Sequence, residues 1–113
     1  MKLTEVINHL NAEYLCLDGA DPEVTCCMGA DMMSDVLAFA EAGALLITGL
    51  ISSQSVRTAD VADASAVLYI RGKRPDEQTI ALACELNIPL LTTNENMFNT
   101  CGILYKAGLK GVC

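Results

Sequence analysis

Continuous apolar runs alternating with helix-compatible segments predict an α/β fold. The runs at residues 44–48, 66–70 and 88–93 are aliphatic and have the length of strands buried on both faces of a sheet. Each run is followed by a segment whose apolar residues recur at helical spacing. Strands and helices that alternate in this way require parallel pairing and right-handed crossovers. We therefore expect one three-layer-like domain over residues 1–113, with a mostly parallel sheet built from consecutive β-α units.

The first 43 residues add an N-terminal helix and short strands to this plan. The helix is predicted from the spacing of Leu3, Val6, Ile7 and Leu10. Two short strands, at 14–17 and 24–28, flank the turn-forming segment 18–22, and their proximity predicts that they pair with each other. Asp31 or Ser34 is expected to cap the next helix. The predicted inward side of that helix consists of Met33, Val36, Leu37 and Ala40.

The helices of the second half are predicted at residues 53–64, 76–86 and 95–107. Asp76 precedes the second of them and has the side chain of a good N-terminal cap. Residues 108–113 contain two glycines and show no periodicity, so a loose tail is predicted there.

Charge and composition exclude several classes of function. The net charge is −7, and residues 1–43 hold eight acidic residues against a single base, Lys2. An acidic surface repels phosphate backbones, so we expect no nucleic-acid partner. No apolar run is long enough to span a bilayer, and the N-terminus lacks the apolar block of a signal peptide. These features predict a cytoplasmic protein with no membrane association.

Polar residues follow each predicted parallel strand, at the edge where α/β sheets bind ligands. Three segments meet there: Thr48 to Ser53, Arg71 to Arg74, and Thr92 to Asn94. Each leads into a helix N-terminus, which favours an anion. The basic cluster adds fixed positive charge, although a solvated loop is the alternative interpretation. The predicted ligand-binding residues are Thr25, Thr48, Gly49, Arg71, Lys73, Arg74, Thr92 and Thr93.

The six cysteines leave two interpretations open. Small, packed apolar side chains in a reducing compartment are the simpler one, and no Cys-x-x-Cys spacing is present. The other is a redox or metal sensor in which Cys26 and Cys27 hold zinc or an iron–sulfur cluster across a dimer axis, with Cys113 as an accessory. Adjacent strand residues point to opposite faces, so a regular strand opposes this second interpretation.

The sequence contains no catalytic signature. It lacks a phosphate-binding Gly-x-x-x-x-Gly-Lys loop and a Ser/His/Asp set, and the single His9 falls on a predicted surface helix. Asp31 and Asp35 lack a third ligand or partner acid. We therefore expect a non-enzymatic protein with no catalytic residue and no required cofactor.

The order of motifs resembles the DRTGG domain family, named for Asp-Arg-Thr-Gly-Gly. Residues 24–37, 45–49, 75–76 and 88–93 carry the resemblance, together with Gly72, so it covers essentially the whole chain. At the motif itself Thr25 agrees, Glu23-Val24 replaces Asp-Arg, and Cys26-Cys27 replaces both glycines. Losing the arginine removes a fixed cation, which weakens any anion-binding role inherited from the motif.

The resemblance implies a non-catalytic module that dimerises and works with a partner enzyme or regulatory protein. Such domains accompany nucleotide-binding CBS domains in certain pyrophosphatases, where adenine nucleotides regulate, and the length here is that of a stand-alone form. The leading hypothesis is thus a homodimeric regulatory module that senses an adenine nucleotide or another small anion. The alternatives are the cysteine-based sensor and a plain dimeric protein-interaction module.

Overall fold

A computed structural model describes residues 1–112, in which five strands form one sheet. The strands are β1 (Glu13–Cys16), β2 (Cys26–Gly29), β3 (Ala44–Thr48), β4 (Ala66–Tyr69) and β5 (Leu90–Thr92). Their spatial order is β1-β5-β4-β3-β2. Strands β2, β3, β4 and β5 all run parallel to one another, while β1 runs antiparallel to β5. The predicted mostly parallel α/β sheet is confirmed.

Five helices cover both faces of the sheet. They are α1 (Leu3–Leu10), α2 (Met33–Phe39), α3 (Ser53–Val61), α4 (Glu77–Glu85) and α5 (Met97–Lys106). Helices α1 and α5 pack together on one face, and α2, α3 and α4 pack in sequence on the other. Within residues 1–112, no helix combines the length and the apolar content that crossing a bilayer requires.

Successive side chains of the central strands enter two separate hydrophobic cores, one on each face of the sheet. In β3, Leu45 and Ile47 contact the α1/α5 side, whereas Leu46 contacts the other side. All three side chains are almost fully removed from solvent. Each buried aliphatic side chain of this size contributes about 1.5–3 kcal/mol, so the continuous apolar runs stabilise both layers at once.

The predicted pairing of the first two strands is wrong. Strand β1 pairs with β5, with Glu13 opposite Thr92, and β2 pairs with β3 at the opposite edge, with Cys26 opposite Ala44. This arrangement covers the free N–H and C=O groups on both edges of the central β3-β4-β5 unit. A β1–β2 hairpin could cover at most one of these edges, so proximity in sequence does not decide the pairing.

The predicted loose tail is also wrong for the residues that the structure describes. The Cys27 N–H donates to the Lys110 carbonyl over 2.9 Å, and the Val112 N–H donates to the Cys27 carbonyl over 3.1 Å. Leu109 is buried against the α1/α5 core. The end of the chain therefore pairs with the outer edge of β2, while Cys113 lies outside the described residues.

Helix α2 departs from its prediction at two points. Its N-cap residue is Met32, without a side-chain cap, so neither Asp31 nor Ser34 caps it. Leu37, predicted to face inward, is 56% exposed, whereas Met33 and Val36 are buried. A helix of seven residues covers the sheet with two turns, which leaves its Leu37 face uncovered.

The caps of the last two helices follow ordinary rules. The Asp76 carboxylate accepts the Thr79 N–H over 2.8 Å, as predicted. Hydrogen bonding from Thr79 favours the carboxylate anion and lowers the pKa of Asp76. In α5 the Asn96 Oδ1 accepts the Asn99 N–H, also over 2.8 Å.

We predict that Asn96→Ala lowers the free energy of unfolding by about 1 kcal/mol, because the Asn99 N–H loses its acceptor. The matched control is Asn96→Ser, whose hydroxyl accepts the same hydrogen bond. Urea denaturation measures both variants. Equal destabilisation by alanine and serine would contradict a capping role.

Candidate functional site

The carboxyl ends of β3, β4 and β5 lie on one edge of the sheet because these strands are parallel. Thr48 ends β3, and Thr92 ends β5. Thr25 lies elsewhere: it precedes Cys26, which is opposite the first residue of β3. The structure therefore brings the predicted strand-end residues to one edge and separates Thr25 from them.

A carboxylate already accepts hydrogen bonds at the end of β3. The Asp31 Oδ1 accepts the Gly49 N–H over 2.7 Å and the Thr48 hydroxyl over 3.1 Å. The Lys73 ammonium donates to the Gly49 carbonyl over 3.2 Å, so it lies beside the same turn. A backbone amide, a hydroxyl and an ammonium are the donors that phosphate oxygens use. The sequence-based interpretation of Asp31 as a helix cap missed this arrangement.

The hydroxyls of Thr92 and Thr93 hold loops together. Thr92 Oγ1 donates to the Lys73 carbonyl over 2.8 Å, and Thr93 Oγ1 donates to the Leu10 carbonyl over 2.9 Å. Both side chains are buried. Their contacts fix the β4–α4 loop and the end of α1, and this leaves neither hydroxyl donor free for a ligand.

The three bases of the cluster separate in space. Arg74 forms an ion pair with Glu13, and Lys73 turns to Gly49. Arg71 is exposed, with a φ of 58°, and is followed by Gly72 with a φ of 67°. A Cβ at Gly72 would lie 2.9 Å from Asn94 Oδ1, so both the backbone and the space favour glycine there. The cluster therefore contributes one cation, Lys73, to the Gly49 turn.

A polar concavity of about 600 Å³ lies between the first half of α3 and the length of α4. Its lining includes Arg57, one turn after Ser53 on the same face of α3. The N-cap residue Ser52 makes no side-chain cap, so the first amides of α3 are without a side-chain acceptor. The remaining lining residues are Asp76, Gln78, Thr79, Ala81, Leu82 and Glu85.

Lys73 lies at the strand edge, where its ammonium donates to the Gly49 carbonyl, rather than in the lining of this concavity. Sequence analysis missed Arg57, although its helical spacing from Ser53 was a usable signal. Another concavity, of about 470 Å³ near Asn87 and Pro89, has no lysine or arginine in its lining.

The adjacent cysteines point to opposite faces of β2. Cys27 packs against the α1/α5 core, while the Cys26 sulfur lies 3.7 Å from Thr25 Oγ1 on the other side. Burial raises the pKa of Cys27 to about 12, with smaller contributions from the Cys101 and Cys26 thiols. Within residues 1–112, no three His, Cys, Asp or Glu side chains cluster in a way that could hold a metal ion.

The half-buried Cys27 thiol is predicted to react with disulfide reagents at least about tenfold more slowly at pH 8 than in the urea-unfolded chain. Burial raises its pKa to about 12, so much less of it is thiolate at that pH, and this outweighs the higher nucleophilicity of a more basic thiolate. Timed reaction with a chromogenic disulfide, followed by peptide mapping, measures the difference. Cys27→Ser should leave the number of fast thiols unchanged, whereas Cys84→Ser, at an exposed position, should lower it by one. A fast Cys27 would contradict the burial argument.

Comparisons with known proteins agree with this architecture. The chain is similar to the CBS and DRTGG domains of the regulatory region of Clostridium perfringens pyrophosphatase, a structure complexed with the activator diadenosine tetraphosphate, with a TM-score of 0.70 and 18% identity. The alignment covers 90% of this chain and 45% of that chain, so this chain spans less than half of that structure. A search of curated proteins finds no match. The family model of the DRTGG domain matches residues 5–107, and the chain therefore belongs to the DRTGG domain family.

Proposed function

We propose that this chain is a non-enzymatic regulatory module that binds an adenine nucleotide or a related small anion and acts through a protein partner. The observation that carries the proposal is the polar concavity between α3 and α4, with Arg57 in its lining. Family membership supports the regulatory role, since the similar regulatory region from C. perfringens was solved with an adenine dinucleotide activator.

The concavity suits a phosphorylated ligand in size, and its α3 end offers donors for a phosphate. Its volume of about 600 Å³ falls within the range of about 300–1,000 Å³ typical of small-molecule sites. The amides at the start of α3 and the Arg57 guanidinium favour phosphate oxygens. Ala81 and Leu82 offer an apolar wall for a base. Asp76 and Glu85 oppose highly charged ligands, so we propose that the phosphate lies at the α3 end.

The remaining predicted residues receive different roles in this proposal. Thr48 and Gly49 shape the turn that the Lys73 ammonium contacts, while Thr92 and Thr93 support the loops. Arg71 is exposed and free to approach a ligand from solvent, whereas Arg74 is occupied by Glu13. We place the protein in the cytoplasm, where the free thiols found among residues 1–112 remain reduced.

Adenine nucleotides should raise the melting temperature of this protein by several degrees at saturation. A ligand at 100 times its Kd adds about 2.7 kcal/mol to stability. Arg57→Ala should abolish most of the shift, because it removes the cation in the lining of the concavity. Differential scanning fluorimetry with AMP, ADP, ATP and diadenosine polyphosphates measures the effect.

Two variants serve as controls for this experiment. Lys106→Ala removes a cation from α5, in the opposite layer, and Arg74→Ala removes one that is paired with Glu13. Both should keep the ligand-induced shift. No shift with any nucleotide, or an equal loss in Lys106→Ala, would overturn the proposed site.

A homodimeric interaction module is the second candidate, and the exposed face of α5 favours it. Phe98 is 85% exposed and Tyr105 is 65% exposed, next to an apolar concavity of about 700 Å³. Large exposed apolar patches mark interaction surfaces. Residues 97–106 include no acidic side chain, so two copies of this acidic protein can meet there with little repulsion.

The α5 surface should therefore mediate self-association. Phe98→Ser and Tyr105→Ser, alone and together, are expected to weaken the dimer at least tenfold, since both remove apolar area from its centre. Val61→Ser, which changes an equally exposed residue of α3, should leave it intact. Sedimentation equilibrium measures each dissociation constant. A monomeric parent protein, or weakening only by Val61→Ser, would contradict this candidate.

A further inference from the structure

Three sulfur-containing side chains, those of Cys27, Met97 and Cys101, pack against the α1/α5 core from β2 and α5. Met97 and Cys101 lie four residues apart on α5, so they project from the same face of the helix. Cys27 lies on β2, and Cys27 and Cys101 line one small cavity. We call Cys27, Met97 and Cys101 the sulfur cluster. It draws its residues from two elements and differs from the Cys26–Cys27 pair, whose sulfurs diverge.

Gly29 leaves the sulfur cluster uncovered. It lies two residues after Cys27, on the same face of β2. A Cβ built at Gly29 would lie 3.1 Å from the Cys101 sulfur and 3.2 Å from the Met97 sulfur. The Cys101 thiol itself donates to the Met97 sulfur over 3.7 Å. The absence of a side chain at Gly29 therefore preserves a space that is bordered by sulfur atoms.

The surroundings of the sulfur cluster favour a soft ligand. The cavity has a volume of about 150 Å³ and is bounded by Ile47, Leu104 and Leu109, with no carboxylate in its lining. Hard cations prefer carboxylate and other oxygen ligands, whereas thiolates and thioethers select Cu(I). Lys110 is another lining residue, and its ammonium lies 5.1 Å from the centre of the Tyr105 ring, which also lines the cavity.

We propose that Cys27, Met97 and Cys101 bind one Cu(I) ion. On binding, each cysteine forms a sulfur–copper bond and releases its S–H proton to solvent, while the Met97 thioether donates a lone pair. Copper remains in the +1 state and no electron is transferred. The resulting unit of two thiolates and one Cu(I) carries a single negative charge.

Anaerobic competition with a chromophoric Cu(I) chelator tests the proposal on the full chain. The parent protein should remove one equivalent of Cu(I) from the chelator. Cys27→Ser and Cys101→Ser should each weaken binding at least tenfold, and Met97→Leu, which keeps volume but removes the sulfur, by a few-fold. Cys26→Ser and Cys84→Ser are the matched controls and should bind as the parent does.

Each outcome decides the question. Thermal unfolding shows whether each variant is folded. If Cys27→Ser does not fold, Met97→Leu and Cys101→Ser still test the proposal. Failure of the parent protein to compete for Cu(I) overturns the proposal. So does a loss in Cys26→Ser or Cys84→Ser as large as that in Cys101→Ser, because the sulfur cluster would then not be the binding site.

Discussion

Burial of β3, β4 and β5 on both faces is the constraint on which the rest of the structure depends. Leu45, Leu46 and Ile47 illustrate it, since consecutive side chains enter opposite cores. A strand of this kind is stable only if helices cover both faces of the sheet, and parallel crossovers supply those helices. The two edge strands then satisfy the backbone groups that the central unit leaves free. The position of β1 beside β5 follows from this requirement.

The same topology divides the chemistry of the sheet between its two ends. The carboxyl ends collect Thr48, Gly49 and Lys73 around the Asp31 carboxylate. The polar groups at this end hydrogen-bond to one another. The polar concavity lies between α3 and α4. The family motif lies at the other end, where Thr25 accompanies the first residue of β2. Departures from the motif at Cys26 and Cys27 therefore leave the strand-end concavity unaffected.

The outer edge of β2 has a different character. Residues 110–112 pair with Cys27, which closes the sheet edge, and α5 covers the neighbouring face. This side combines an exposed apolar surface around Phe98 with the Cys101 and Met97 sulfur atoms close to Gly29. The protein thus presents a polar concavity on one layer and an apolar, sulfur-rich region on the other. A ligand and a partner protein could be accommodated on separate faces.

The sequence by itself determined the class of fold, the order of the elements and the family, because apolar periodicity and strand-end residues are local signals. It also identified the Asp76 cap, since capping depends on three neighbouring residues. Only the tertiary structure decided the partners of β1 and β2, the docking of residues 108–112 and the separation of the three bases. Each depends on contacts between residues distant in sequence, such as Arg74 with Glu13. Contacts of that kind leave no periodic pattern in the sequence, so they can be read only from the folded sheet.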